Sequence, residues 1–158
     1  MNDKTTTLLI LRRRDEILLA MKKRGHGVGL WNGVGGKIES GETVERALVR
    51  ECQEEIGVTP TKYHKVAEHD FAMDTKDAGT WHMQTHTYLC NQWEGEPIET
   101  DEMAPRWFPI SNIPYDQMWP DDRYWLPLVL RGKLLKTLFT FDKHNTILAQ
   151  EITEVGVL

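Results

Sequence analysis

The 158-residue sequence predicts an α+β sandwich built on a mixed β-sheet. Three observations carry that expectation. Short apolar or alternating runs recur from one end to the other, only two segments read as helices, and those helices do not alternate with strands in strict βαβ order.

Residues 5–12 (TTTLLILR) and 16–21 (EILLAM) predict two strands around the polar turn RRRD. Residues 25–41 carry glycine at 25, 27, 29, 33, 35, 36 and 41, which predicts a loop enclosing a short strand, because each glycine weakens a helix. A helix is expected from an N-cap at Thr43, with Glu45 in its first turn, to Ile56, and Gly57 ends it at the C′ position. Residues 62–73 and 81–90 read as strands joined by the polar loop 74–80, and Trp107-Phe108 as a further short strand. A second helix is expected after Pro120, with Asp121 and Asp122 at its start and YWLPLVL in its body. Pro127 inside it predicts a kink or a later first turn. LFTF-DKHN-TILA closes the chain as a hairpin.

No repeat, low-complexity block or linker interrupts the chain, so one domain over 1–158 is expected. A net charge of -5 gives no broad electrostatic footprint for duplex nucleic acid, leaving Arg12-Arg13-Arg14 and Lys22-Lys23-Arg24 as local basic patches. Cys52 and Cys90 make neither a disulfide framework nor a zinc spacing, which points to a reducing compartment. No apolar run reaches membrane-spanning length. A cytoplasmic, monomeric protein without membrane or stable nucleic-acid partners is expected.

Gly36 to Gly57 (GKIESGETVERALVRECQEEIG) concentrates six glutamates. At about 100° per residue, Glu51, Glu54 and Glu55 share one sector, which borders and overlaps the apolar stripe of Val44, Leu48, Cys52 and Ile56. A merely solvated face would sit opposite that stripe. Like charges at these spacings repel, and they lie toward the negative end of the helix dipole. Arg50 is expected to neutralise one carboxylate, and a hard divalent cation shared with substrate phosphates suits the others. Gly33-Val34-Gly35-Gly36-Lys37 lets backbone approach a ligand closely, with carbonyls for a metal and amides for phosphate. A P-loop is excluded, because it would need glycine at Trp31 and Ser or Thr at Ile38. A dinucleotide fingerprint would need glycine at Ile38.

Gly36, five residues, Glu42, seven residues, Arg50-Glu51-Cys52, one residue, Glu54-Glu55, one residue, Gly57-Val58 resembles the signature of the Nudix family. Every charged and glycine position matches, and Cys52 stands where a larger aliphatic residue is usual. MKKRGHGVGLWNGVGGKIESGET, DEMAPRWF and MWPDDRYWLPL extend the resemblance, over nearly the whole chain, to the family's MutT-homologue branch. The resemblance implies an αβα sandwich with a catalytic loop–helix–loop. It also implies Mg²⁺-dependent cleavage, with Mn²⁺ as a substitute, of oxidised purine nucleoside triphosphates such as 8-oxo-dGTP and 2-hydroxy-dATP to monophosphate and pyrophosphate.

By the same resemblance, Glu51, Glu54, Glu55, the Gly35 carbonyl and the distant Glu102 are the metal ligands, with Glu99 and Asp101 as rivals to Glu102. Lys22 meets phosphate or substrate oxygen beside Val34, Gly35, Gly36 and Lys37. Thr7, Asn32, Trp119, Pro120, Asp121 and Asp122 line the base pocket, with Phe71, Met83 and Met103 as apolar walls. Glu42 and Arg50 orient the glutamates, and the general base is Glu51 ahead of Glu54. Close aspartates in an apolar pocket push one pKa up, so a protonated member would donate to a base while its neighbour accepts. Asp121-Asp122 serve equally well as the start of a helix. His26, Met73 and the loop 74–80 depart from the relatives near the base pocket, which bears on substrate preference. The six histidines show no metal spacing and read as non-catalytic. Two other readings stay open: a Nudix hydrolase of a canonical or methylated nucleotide or an RNA 5′ end, and a silent nucleotide-sensing module.

Overall fold

The computed structural model describes residues 3–75 and 79–158, with side chains of 74–81 left aside. Eight strands and two helices run in the order β1 (Asp3–Arg13), β2 (Glu16–Lys22), β3 (Trp31–Asn32), α1 (Val44–Ile56), β4 (Thr59–Thr75), β5 (Gly79–Glu94), β6 (Met103–Pro109), α2 (Asp122–Leu130), β7 (Leu134–Phe141) and β8 (Ile147–Val155). The strands form one mixed sheet in the order β3-β2-β1-β5-β4-β7-β8, with β6 paired to β2. β1 runs parallel to β5, β4 runs parallel to β7, and the remaining named pairs are antiparallel.

The sheet separates two apolar layers. Leu9, Leu11, Leu18 and Ala20 face α1 and meet Leu48, Cys52 and Ile56. Ile10, Ile17 and Leu19 face the other way, toward Trp125, Leu126 and Val129 of α2. This explains why LLIL and ILLA are continuous apolar runs: successive side chains point to opposite faces, and both faces are covered. The αβα sandwich follows from that.

Helix α1 forms as expected. Thr43 Oγ1 accepts from the Arg46 N–H at 3.2 Å, and Gly57, at φ 71°, donates its N–H to the Gln53 carbonyl. Burial of Leu48 and Ile56 contributes about 1.5–3 kcal/mol each. Helix α2 begins at Asp122 and continues through Pro127, which withholds one amide from the intrahelical ladder. The expected loop 74–80 is shorter than the polar composition suggested, because Asp74 pairs with Thr80 and Thr75 with Gly79. Its middle, 76–78, lies outside the described residues. Strands β4 and β5 are also longer than predicted, and register shifts near Pro60, Lys62 and Lys65 let them bend.

One irregularity positions the site. Strand β2 gives one edge to β6 along its whole length, and the other edge is divided between β1 and β3. β1 pairs with β2 only over Leu11–Arg13. Beyond that, the stretch 34–38 takes the place of β2 on β1: Leu9 exchanges hydrogen bonds with Val34, Thr7 donates to Gly36, and Ile38 donates to Thr5. The chain therefore crosses from β2 to β1 at Gly33, and this crossing opens the sheet. Only glycine fits the crossing. A Cβ on Gly35 would lie 1.9 Å from the Thr7 carbonyl oxygen, and one on Gly33 2.8 Å from the Leu9 carbonyl oxygen. Gly35→Ala is accordingly expected to cost about 2–3 kcal/mol by forcing two backbones apart. Gly41→Ala meets no atom within 4 Å and is expected to cost about 1 kcal/mol through its left-handed φ of 82°. Chemical denaturation of the two variants measures the difference.

Candidate active site

The glycine crossing lies directly on the acidic face of α1. A Cβ on Gly36 would sit 2.6 Å from the Glu51 carboxyl carbon, and the Gly35 N–H donates to Glu55 Oε2 at 3.2 Å. Glu55 is only 7% exposed, as a carboxylate on the border of the apolar stripe must be. Burial pushes its pKa up to about 8. The Gly35 N–H opposes that rise, the nearby Glu51 adds to it, and Lys22 lowers it slightly. Glu51 is largely covered and Glu54 is mostly open, with side-chain exposures of 15% and 58%.

Arg50 corrects a sequence expectation, because it serves more than one carboxylate. Its Nε and Nη2 grip both Glu42 oxygens at 2.7 and 2.9 Å, and Nη1 reaches Glu51 at 3.0 Å and Glu54 at 3.3 Å. Nη2 also donates to the Lys37 carbonyl at 3.1 Å. A planar fork with five N–H donors can do this, where a point charge could not. The Arg50 hydrogen bonds and the Glu39 N–H hold the Glu42 carboxyl down at about 2, while the same contacts raise Arg50.

Among the described residues, no three His, Cys, Asp or Glu side chains converge closely enough, as placed, to hold an ion. Glu51 and Glu54 lean toward Arg50 and Glu55 toward Gly35. The donor set nevertheless fits a hard dication: three carboxylates within little more than one helical turn, one of them buried without a cationic partner, against a glycine loop that leaves room beside Glu51. Glu102 does not join them. Its carboxylate pairs with Arg24 at 2.9 Å and is 46% exposed. Its rival Glu99 pairs with Lys23. The acidic run 99–102 thus neutralises two members of the basic patch 22–24, leaving Lys22 to face the cavity.

That cavity, of about 220 Å³, opens where β1 and β2 separate. Thr7, Lys22, Asn32, Gly35, Gly36, Phe71, Met83, Met103, Trp119, Asp121 and Asp122 all line it. Three expected residues do not. Val34 is buried under α1, Lys37 is exposed and contributes its carbonyl to Arg50, and Pro120 lies outside the lining. His26 lines the mouth, its ring 5.0 Å from Trp119, while Met73 lies on the wall.

Asp121 and Asp122 are each 4% exposed. Neither side chain caps α2. Asp121 Oδ2 instead accepts from Trp125 Nε1 at 2.8 Å. Burial, reinforced by the charge of Asp121, raises the Asp122 pKa well above the carboxylate range. Asp121 is raised by burial too, with the Trp125 hydrogen bond opposing the rise. Burial thus favours a proton on the pair, and among the described residues Asp122 Oδ2 is buried without a partner. Sequence reasoning missed His69. It lies 1% exposed in the cavity wall, with Nδ1 2.7 Å from Thr137 Oγ1. Its only sequence signal was an isolated histidine at an inward position of a strand.

Residues 1–129 match the family model described as NUDIX domain. The chain is 43% identical over 152 residues to the oxidized purine nucleoside triphosphate hydrolase of Danio rerio, covering 96% of each protein. It is 40% identical over 149 residues to the mouse (Mus musculus) protein of the same name, covering 94% of each. A mutator MutT protein from Bacillus halodurans superimposes with a TM-score of 0.82 at 24% identity, over 94% of this chain and 97% of that one.

Two outcomes follow from this geometry. Arg50→Lys keeps the charge but loses the two-pronged grip on Glu42, and a fall of about 10- to 100-fold in kcat/KM is expected with little change in Tm. For Asp122, a raised folded pKa means the unfolded chain releases the proton first. Wild-type stability should then fall as pH rises from about 4, the unfolded aspartate value, toward the folded one. Asp122→Asn cannot ionise, so its stability relative to wild type should rise with pH over that window in parallel thermal melts.

Proposed function

Because this chain belongs to the Nudix family, we propose that it hydrolyses oxidised purine nucleoside triphosphates, 8-oxo-dGTP and 2-hydroxy-dATP among them, to monophosphate and pyrophosphate. The observation that carries this reading is an adjacency. The cavity that holds the buried aspartate pair is lined by Gly35 and Gly36. These same glycines touch Glu55 and Glu51 on the acidic turn of α1, whose glutamates lie outside the lining. The cavity suits a purine edge and the turn a triphosphate with its cation.

Glu51, Glu54, Glu55 and the Gly35 carbonyl would hold Mg²⁺, with Mn²⁺ as a substitute. When bound, the cation screens the phosphate charge and supplies Lewis acidity to the attacking water. The remaining work falls to the chain. Arg50, anchored by Glu42, fixes the directions of Glu51 and Glu54. Lys22 places a positive charge on the cavity wall where phosphate would enter. Glu51, pressed against Gly36, takes the proton of the attacking water, ahead of the more exposed Glu54. Asn32 offers a side-chain donor and acceptor to the base, its Oδ1 already accepting from the Gly33 N–H at 2.8 Å. Trp119 and Phe71 supply flat apolar surface. Glu102, held by Arg24, enters only if that ion pair opens. The two buried free thiols Cys52 and Cys90 fit a reducing, cytoplasmic setting, and we take the protein to act there as a monomer on free nucleotides. Among the described residues, no helix is long and apolar enough to cross a membrane.

A competition assay among 8-oxo-dGTP, 2-hydroxy-dATP and dGTP tests the proposal. One or both oxidised nucleotides should be preferred, with pyrophosphate rather than phosphate released and with turnover abolished by EDTA. Preference for dGTP, or binding without turnover, would replace it. Glu51→Gln should lower kcat by about 10²–10⁴-fold. A near-normal rate would pass the base role to Glu54.

A further inference from the structure

The floor of the cavity is polar where the surrounding core is not. Cα register places Thr6 of β1 beside Thr85 of β5, Thr85 beside His69 of β4, and His69 beside Thr137 of β7. Four adjacent strands thus contribute one transverse row of polar side chains. The Thr6 and Thr85 hydroxyls are 2.8 Å apart, and Thr137 Oγ1 is 2.7 Å from His69 Nδ1. Leu8, Phe71, Phe139 and Trp125 border the row. A buried polar row in an apolar layer costs stability unless its groups are partnered.

Within the row, one atom is left over. Among the described residues His69 Nε2 has no partner, and it is buried in a ring that lines the cavity. Its tautomer follows from satisfying Thr137. The hydroxyl of Thr137 has one hydrogen, and Nδ1 is its hydrogen-bond partner among the described residues. If the hydroxyl donates, both atoms are satisfied, and the ring proton must reside on Nε2. If Nδ1 donated instead, the hydroxyl hydrogen would be buried without an acceptor. The ring is held in place by Phe71, stacked at 5.5 Å, and by Trp125 at 4.4 Å. Burial keeps it neutral, pushing its pKa down to about 3.

We propose that His69, oriented by Thr137, is a specificity-determining residue that donates from Nε2 to an acceptor atom of the bound base, a carbonyl oxygen or a bare ring nitrogen. The assignment rests on the reading that this cavity takes a purine nucleotide. It supplies a fixed donor from a ring packed on Trp125, the same indole whose Nε1 donates to Asp121.

Calorimetric titration with 8-oxo-dGMP, 2-hydroxy-dAMP and dGMP, which bind without turnover, tests it. His69→Leu should weaken the tightest of the three about tenfold, with KM for the matching triphosphate raised and kcat nearly unchanged. His69→Gln, which can return an amide donor near the Nε2 position, should recover most of that loss. Should His69→Leu bind all three within about twofold of wild type, the row is purely structural and the assignment falls. Wild-type protein that binds none of them overturns the nucleotide reading and this assignment together. Imidazole ¹⁵N shifts of the unmodified protein give an independent readout: a protonated Nε2 and a bare Nδ1 are expected, and the reverse tautomer refutes the donor.

Discussion

The site depends on holding like charges together on one turn of helix, and the Arg50 guanidinium is what makes that possible. Three glutamates within five positions repel one another, and one of them is pressed into the core. Arg50 engages Glu42, Glu51 and Glu54 at once, so the turn is not an array of free carboxylates. The network is fixed from outside the helix, because Glu42 also accepts from the Glu39 N–H and Arg50 donates to the Lys37 carbonyl. Loop and helix are thereby tied together, and Arg50 screens Glu51 and Glu54 from one another.

The second constraint is the crossing at Gly33. A sheet covered on both faces has no room for a ligand unless its strands part. Here they part because β2 divides one edge between β1 and β3. The stretch 34–38 then repairs the free edge of β1 with backbone hydrogen bonds, so the opening leaves few backbone groups unpaired. Helix α1, with its glutamates, lies on one face of the sheet and α2, with its aspartates, on the other. Only at the crossing can residues from both layers, Met103 from one and Trp125 from the other, line the same cavity. The acidic turn of α1 and the aspartate pair of α2 are separated by the thickness of the sheet and joined at three glycines.

Much of this was legible in the sequence, for local reasons. The caps of α1, the glycine loop, the apolar runs of β1 and β2 and the final hairpin are set by residues next to one another in the chain. What escaped was set by register. Arg50 shows one i,i+4 partner locally, whereas Glu42 precedes the helix and reaches Arg50 only through the turn of the loop. The pairing of Glu102 with Arg24, 78 positions away, carries no local signal, because it arises from β2 running beside β6. The surroundings of His69 were equally hidden, because its register neighbours Thr85 and Thr137 come from two other strands. Pro127 predicted a kink or a later first turn, but α2 starts at Asp122 and runs on past the proline, where Leu126 and Val129 are fully buried and packing carries it.

The buried polar atoms of the cavity complete the argument. Among the described residues five side-chain polar atoms are buried without a partner, and three of them, Thr7 Oγ1, His69 Nε2 and Asp122 Oδ2, belong to residues lining this one space. An unmet buried polar group costs about 1–3 kcal/mol, so a chain selected for stability alone would have little reason to collect three in one place. A site that hydrogen-bonds its ligand also discriminates strongly against an analogue lacking the matching group, because rejection then leaves these atoms unpaired. Binding would restore what folding left unsatisfied. The apolar layers on the two faces of the sheet supply the stability that lets such a pocket persist.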